Sequence, residues 1–186
     1  RSRIKKTLVA RERCEERRAA FLNDLTPFLQ QPQRLVFLDE SGFNTAMTRG
    51  YARAPSAERA VGQVARNHGK NHTLICALSL AGPVAPMVIE GAVNGELFEW
   101  YVRDQLCPHL CPGQVVVMDN LSSHHRASIR ALIEAHGCTL LYLSPYSPDF
   151  NPIEMLFSKL KALVRGWPGT SVQALCDSIG RALQAV

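Results

Sequence analysis

Asp39 ends the apolar run Leu35-Val36-Phe37-Leu38, and Asp119 ends the run Val115-Val116-Val117-Met118. A carboxylate at the exit of a buried strand is costly unless water solvates it or it holds a cation. A third acid, Glu154, closes the stretch Ser144-Pro145-Tyr146-Ser147-Pro148-Asp149-Phe150-Asn151-Pro152-Ile153-Glu154, which follows a strand-like run and opens a helix. Carboxylates on separate elements are donors suited to a hard divalent cation: Mg2+ prefers oxygen ligands and keeps several waters, so few side chains suffice. Two such ions about 3.5–4 Å apart can orient an attacking water, stabilise a leaving oxygen and neutralise developing charge in phosphodiester cleavage. The pattern points to a metal-dependent nuclease, with Asp39 bridging the ions, Asp119 completing one side and Glu154 the other.

Each acid has a rival reading. Glu40 could replace Asp39 at the site, and Asp119 and Asn120 are both suited to an Asx turn after a strand. Asp149 could compete with Glu154, although turn-making fits its proline-rich surroundings. Asn151-Pro152-Ile153-Glu154 also matches an N-cap, a proline at the first helical position and a capping-box glutamate. The helix beyond it favours a functional Glu154. Ile153, Leu156, Phe157, Leu160 and Val164 form an apolar stripe, while Ser158, Lys161 and Arg165 share the face of Glu154. A glutamate heading a basic stripe suits a DNA phosphate track. His124 and His125, close to Asp119, are candidates to touch a phosphate or position water. Trp100 and Trp167 read as core residues.

The elements that must position these groups follow from pattern. Residues 4–30 read as a helix of scattered apolar residues among charges, closed by Pro27 and Pro32. The strand Leu35–Asp39 comes next. Residues 40–71 are polar, with Arg49, Arg53, Arg59, Arg66 and Lys70 against Glu58. They suit either an irregular hairpin presenting cations to phosphate or a solvated loop. The runs 73–80 and 84–90 flank Ala81-Gly82-Pro83 and read as a β-hairpin. Asn94 caps a helix carrying Leu97, Phe98, Tyr101, Val102 and Leu106. Strand 114–119 precedes a helix capped by Ser122 or Ser123 and stopped near Gly137. Strand 139–143 leads to the Glu154 helix, and a last helix starts at Ser171. Strand–helix–strand units with right-handed crossovers give a mostly parallel sheet flanked by helices. Asp39 and Asp119 then lie side by side at the carboxyl ends of adjacent strands, the edge where such sheets bind ligands.

Composition sets the bounds. The 186 residues, 46% hydrophobic, suffice for one sizeable core and an appendage. No run spans a bilayer, since the most apolar stretch, 74–89, is broken by Gly82-Pro83 and Pro86. The net charge of +5 resides in residues 1–18, and the rest of the chain is neutral. A basic arm on a neutral body points toward a polyanion, with a solvated helix as the plain alternative. Six cysteines show no disulfide framework. Cys107 and Cys111 lack the second ligand pair of a zinc site. The chain opens on Arg1 and its last helix has no stop signal, as expected of a fragment.

Leu38-Asp39-Glu40-Ser41-Gly42, Val117-Met118-Asp119-Asn120 with Ser123-His124, and the stretch Ser144 to Glu154 together resemble the DDE transposases of the mariner superfamily. The likeness is to the branch found in bacterial insertion sequences, marked by the 34 residues between Asp119 and Glu154. It extends to Thr48-Arg49 through Pro55, the Asn94-Gly95 helix and the Lys159-Leu160-Lys161 helix, from about residue 34 to the C-terminus. The resemblance implies an α/β, ribonuclease-H-like mixed sheet flanked by helices, with Asp39, Asp119 and Glu154 as catalytic, metal-ligating triad. It implies two Mg2+ or Mn2+ ions, cleavage of double-stranded DNA at inverted-repeat ends and strand transfer into target DNA. A homodimer in the transposition complex and a cytoplasmic, nucleoid-associated location in a bacterium are also expected. Arg49, Arg53, Lys70, His124, Lys161 and Arg165 are the expected DNA contacts. Residues 1–33 are expected to form a basic helical linker and 34–186 the catalytic domain, with the family's helix-turn-helix region absent and the C-terminus truncated. The alternative is an inactive remnant that only binds DNA or inhibits an intact transposase.

Overall fold

The structure is a computed structural model and describes residues 10–62, 69–121, 126–167 and 171–186. Its elements are α1 (Glu15–Leu29), β1 (Leu35–Phe43), β2 (His72–Ser79), β3 (Gly82–Glu90), α2 (Gly95–Tyr101), β4 (Val115–Met118), α3 (Ala127–Ala135), β5 (Thr139–Tyr142), α4 (Ile153–Gly166) and α5 (Val172–Gln184). This is the order read from the sequence. The helix expected over 4–30 is shorter where it can be described: residues 10–14 are not helical, and α1 starts after the extended Cys14. Glu15 and Glu16 then occupy its first turn, where carboxylates complement the helix dipole. Pro27 lies inside α1 rather than closing it.

The five strands form one sheet in the order β3-β2-β1-β4-β5. The pairings of β1 with β2 and of β2 with β3 are antiparallel; those of β1 with β4 and of β4 with β5 are parallel. The sheet is therefore evenly mixed rather than mostly parallel. The reason is local: β1, which runs on to Phe43, and the hairpin form a three-stranded antiparallel meander. Helical crossovers serve only β4 and β5.

Side chains alternate across the sheet, so two cores form. Leu35, Phe37, Val115 and Val117 pack with Phe21 and Leu25 of α1, with Ile153, Phe157 and Leu160 of α4 and with Leu175 and Ile179 of α5. Val36, Leu38, Val116 and Met118 face the other way, against Phe98 and Tyr101 of α2 and Ile129 and Ile133 of α3. Each such side chain, fully buried, contributes about 1.5–3 kcal/mol of transfer free energy. Asn94 caps α2 as expected, its Oδ1 accepting from the Leu97 N–H at 2.8 Å, and Ser171 caps α5 through the Ala174 N–H at 3.1 Å. Gly137, at φ 69°, ends α3 in a backbone conformation that favours glycine, and a Cβ there would crowd Pro112 at 3.2 Å. Trp100 and Trp167 are partly exposed, not core. Among the described residues, no helix is long and apolar enough to cross a membrane.

Candidate active site

Strand register decides where the acids go. Leu38 of β1 stands opposite Met118 of β4, so Asp39 and Asp119 are the next residues on two neighbouring parallel strands. Both share the parity of Leu35, Phe37, Val115 and Val117, which face α4. Glu154 lies in the first turn of α4. The three acids line one cavity of about 480 Å3, together with Asn120, Leu121, Ser144, Tyr146, Ser147 and Asn151. Glu40 falls on the opposite parity and is not among the residues that line it.

Asp39 is held at both oxygens: Oδ1 accepts from the Glu40 N–H at 2.7 Å, and Oδ2 from Asn151 Nδ2 at 2.8 Å. Burial pushes its carboxyl up to about 7; the Glu40 N–H opposes this, and the charges of Asp119 and Glu154 add to it. Asp119 also makes the Asx contact anticipated for it, accepting from the Leu121 N–H at 3.3 Å. Glu154 is exposed. It does not complete a capping box: no side chain caps α4, and the Asn151 side chain turns to Asp39 instead.

The loop before Glu154 is braced from α1. Arg18, buried, donates from Nη1 and Nη2 to the two Asp149 oxygens at 2.9 and 2.7 Å. Its guanidinium carbon lies 3.8 Å from the centroid of the Phe150 ring, which also stacks on Phe21 at 5.7 Å. Arg18 holds the Asp149 carboxyl below its usual range. Asp149 lies in the tight turn Pro148–Phe150, as expected of it, and its carboxylate also forms an ion pair, so one cation of the basic arm is committed inside the protein. Tyr146, at φ 55°, sits in the left-handed region, a strained conformation of the kind that clusters at functional sites.

The expected DNA-binding residues divide. Lys161 lies on α4 with Nζ 5.7 Å from the Phe43 ring centroid, Arg165 is exposed in the last turn, and Arg49 abuts Gly166, within 2.8 Å of where a Cβ would stand. These three gather along the helix that Glu154 opens. Arg53 is exposed in the irregular segment 51–62. Lys70 is ion-paired with Glu90 and lines a separate cavity with Gly42, Asn44 and Thr73. His124, His125, Ser122 and Ser123 lie outside the described residues.

The donor set is all oxygen, and the burial that chiefly raises the Asp39 proton affinity, with the charges of Asp119 and Glu154 adding to it, is offset when a cation neutralises the group, so the residues fit a hard divalent ion. Among the described residues, no three His, Cys, Asp or Glu side chains are grouped closely enough to hold an ion together. The acids share a cavity without forming a closed coordination shell. Cys107 is no rival metal ligand: it is buried, with its thiol pushed up to about 11 by burial.

Residues 34–173 match a family model described as DDE superfamily endonuclease. No curated protein matches the chain significantly in sequence. In fold, the chain is similar to a Mos1 transposase paired-end complex with left transposon end, at TM-score 0.78 and 16% identity, over 100% of this chain and 60% of that one. It is similar to the Mos1 strand transfer complex at TM-score 0.77 and 16% identity, over 100% and 59%. The catalytic domain of Mos1 mariner transposase gives TM-score 0.67 and 15% identity, over 98% and 86%. The chain therefore spans about 60% of the length of the first two of these transposase chains.

Proposed function

Because the chain belongs to the DDE superfamily endonucleases, we propose that it is the catalytic core of a transposase that cuts DNA at element ends and transfers the strand into a target. The observation that carries this reading is the register of β1 and β4, which sets Asp39 beside Asp119 with Glu154 above them in one cavity. Solved relatives of the same fold include Mos1 complexes with Mn and with Mg, which supports divalent-metal use here.

Asp39, Asp119 and, from α4, Glu154 are the residues that would hold the divalent ions, with Asp39 the member that both ions would share. When bound, the ions activate the attacking oxygen and stabilise the leaving one. Asp39 and Asp119 are fixed by backbone N–H groups, so the first two donors are preorganised. Glu154 is the exposed member and would supply the third carboxylate. Arg49, Lys161 and Arg165 extend a cationic track along α4 for the phosphates flanking the cut. In the first step water would attack a phosphodiester phosphorus and release a 3′-hydroxyl; in the second that hydroxyl would attack a target phosphodiester and displace the target strand's own 3′-oxygen, so one ester bond forms as another breaks.

The 34-residue spacing from Asp119 to Glu154 supports a place in the bacterial insertion-sequence branch, acting on nucleoid DNA in the cytoplasm, as a homodimer that holds two element ends. Residues 1–33 serve as linker and 34–186 as catalytic domain. The test is Mg2+-dependent nicking of element-end duplex by the wild-type chain and by Asp119→Ala, each within its complete transposase. The variant should lose at least about a hundredfold in rate, the scale set by losing a ligand of a catalytic metal. Equal cleavage by both proteins refutes the assignment.

A further inference from the structure

Asn151 stands where a helix-capping residue is expected, yet it caps nothing with its side chain. Only its backbone carbonyl serves α4, accepting from the Glu154 N–H at 3.2 Å. The side chain, 5% exposed, donates from Nδ2 to Asp39 Oδ2, while its Oδ1 is buried without a hydrogen-bond partner among the described residues. Packing alone does not account for an amide here. An apolar side chain of the same branched outline, such as leucine, would leave no orphaned acceptor.

We propose that Asn151 is a positioning residue that aims the Asp39 carboxylate for shared use by two cations and couples it to the arrival of Glu154. This rests on the active-site reading above. A carboxylate oxygen has two lone-pair sites. With one bond from Glu40 N–H to Oδ1 and one from Asn151 to Oδ2, each oxygen keeps one site for a metal ion and the group cannot rotate. The amide is itself held. The Asn151 N–H donates to the Pro148 carbonyl at 3.0 Å and the Phe150 N–H to Ser147 at 3.1 Å, and Arg18 grips Asp149 at the same turn. Because Asn151 lies three residues before Glu154, the hydrogen bond to Asp39 fixes the loop that delivers the third acid against the strand that carries the first. Groups that orient a metal-binding carboxylate commonly set affinity or activity by about 10–100-fold.

The test is direct Mn2+ titration, with free Mn2+ followed by electron paramagnetic resonance, on wild type, Asn151→Leu and Asp119→Ala, alongside nicking as a function of Mn2+. The leucine variant should remain folded, as read from its far-UV circular dichroism and a cooperative melt, and bind Mn2+ about 10–100-fold more weakly. Its half-saturating Mn2+ for nicking should rise in step, with much of the rate recovered at saturation. Asn151→Leu with wild-type Mn2+ affinity, beside an Asp119→Ala that has lost it, overturns the role of Asn151 and leaves the active site standing. Asp119→Ala with wild-type Mn2+ binding and nicking overturns the site itself, and this proposal with it. Should the leucine variant fail to fold, Asn151→Ser, too short to reach Asp39, decides the matter by the same two affinities.

Discussion

Asp39 is the residue on which solution conditions act most directly. Burial raises its carboxyl to about 7, with further push from the charges of Asp119 and Glu154, against an ordinary value near 4. The folded protein therefore binds more protons than the unfolded chain between these two values. The sign follows: this group's contribution is most favourable on the acid side and declines as pH rises from about 4 through about 7, by an amount on the order of a few kcal/mol. Without divalent ions the melting temperature of the wild type should fall from pH 5 to pH 8 relative to that of Asp39→Asn, and saturating Mg2+ at pH 8 should restore the wild type alone. Parallel pH curves for the two proteins, with no Mg2+ response, would contradict the assignment. The acids themselves were legible in the sequence because a charge ending a run of buried residues has few physical excuses. Asp39 over Glu40 was not legible, since strand parity decides between them and parity needs the register with β4. Asn151 was hidden for a different reason: a short polar amide before a proline is equally suited to capping, and only the tertiary position of Asp39 draws it away.

At the scale of elements, α1 is more than a carrier of charge. Phe21 and Leu25 are buried in the core that α4 and α5 share, and Arg18 links the helix to the turn ahead of Asn151. Arg18→Ala should leave the strands and α4 in place but loosen that turn. The amides of Phe150 and Asn151, which close it through Ser147 and Pro148, should exchange with deuterium faster, and the nicking rate should drop with them. Arg18→Lys, which keeps the charge but not the two-pronged geometry, should fall between. Unchanged exchange in the alanine variant would show that Asp149 needs no partner. Since Asp149 is held below the usual carboxylate range, the pair should persist at mildly acid pH and fail only as pH falls through that lowered value. The order of elements was readable because apolar runs, Asn94 and Gly137 punctuate the chain by local chemistry. Two things were not. The sheet's direction at β1–β2 depends on how far β1 continues, and the partner of Arg18 lies 131 residues away, beyond any local pattern.

For the molecule as a whole, the proposed function raises the question of where a neutral body with a basic N-terminal arm would meet DNA. Lys161, Arg165 and Arg49 gather along the helix that starts at Glu154, so on the proposed function a strand cut at the carboxylates would have cations to follow on one side. Each phosphate neutralised adds about 0.9 to the slope of log affinity against log salt. Lys161→Ala with Arg165→Ala should therefore lower that slope by up to about 2, and weaken binding by a similar factor on every duplex sequence, because phosphate contacts carry no base information. Lys70→Ala should change the slope little: that cation lies beside Glu90 in a separate cavity. Fluorescence anisotropy across a salt series on the three proteins separates the cases. A slope that the α4 double variant leaves untouched would move the DNA away from α4, and the metal site would then have to be approached from the β-hairpin side, where Lys70 would become the residue whose loss is felt.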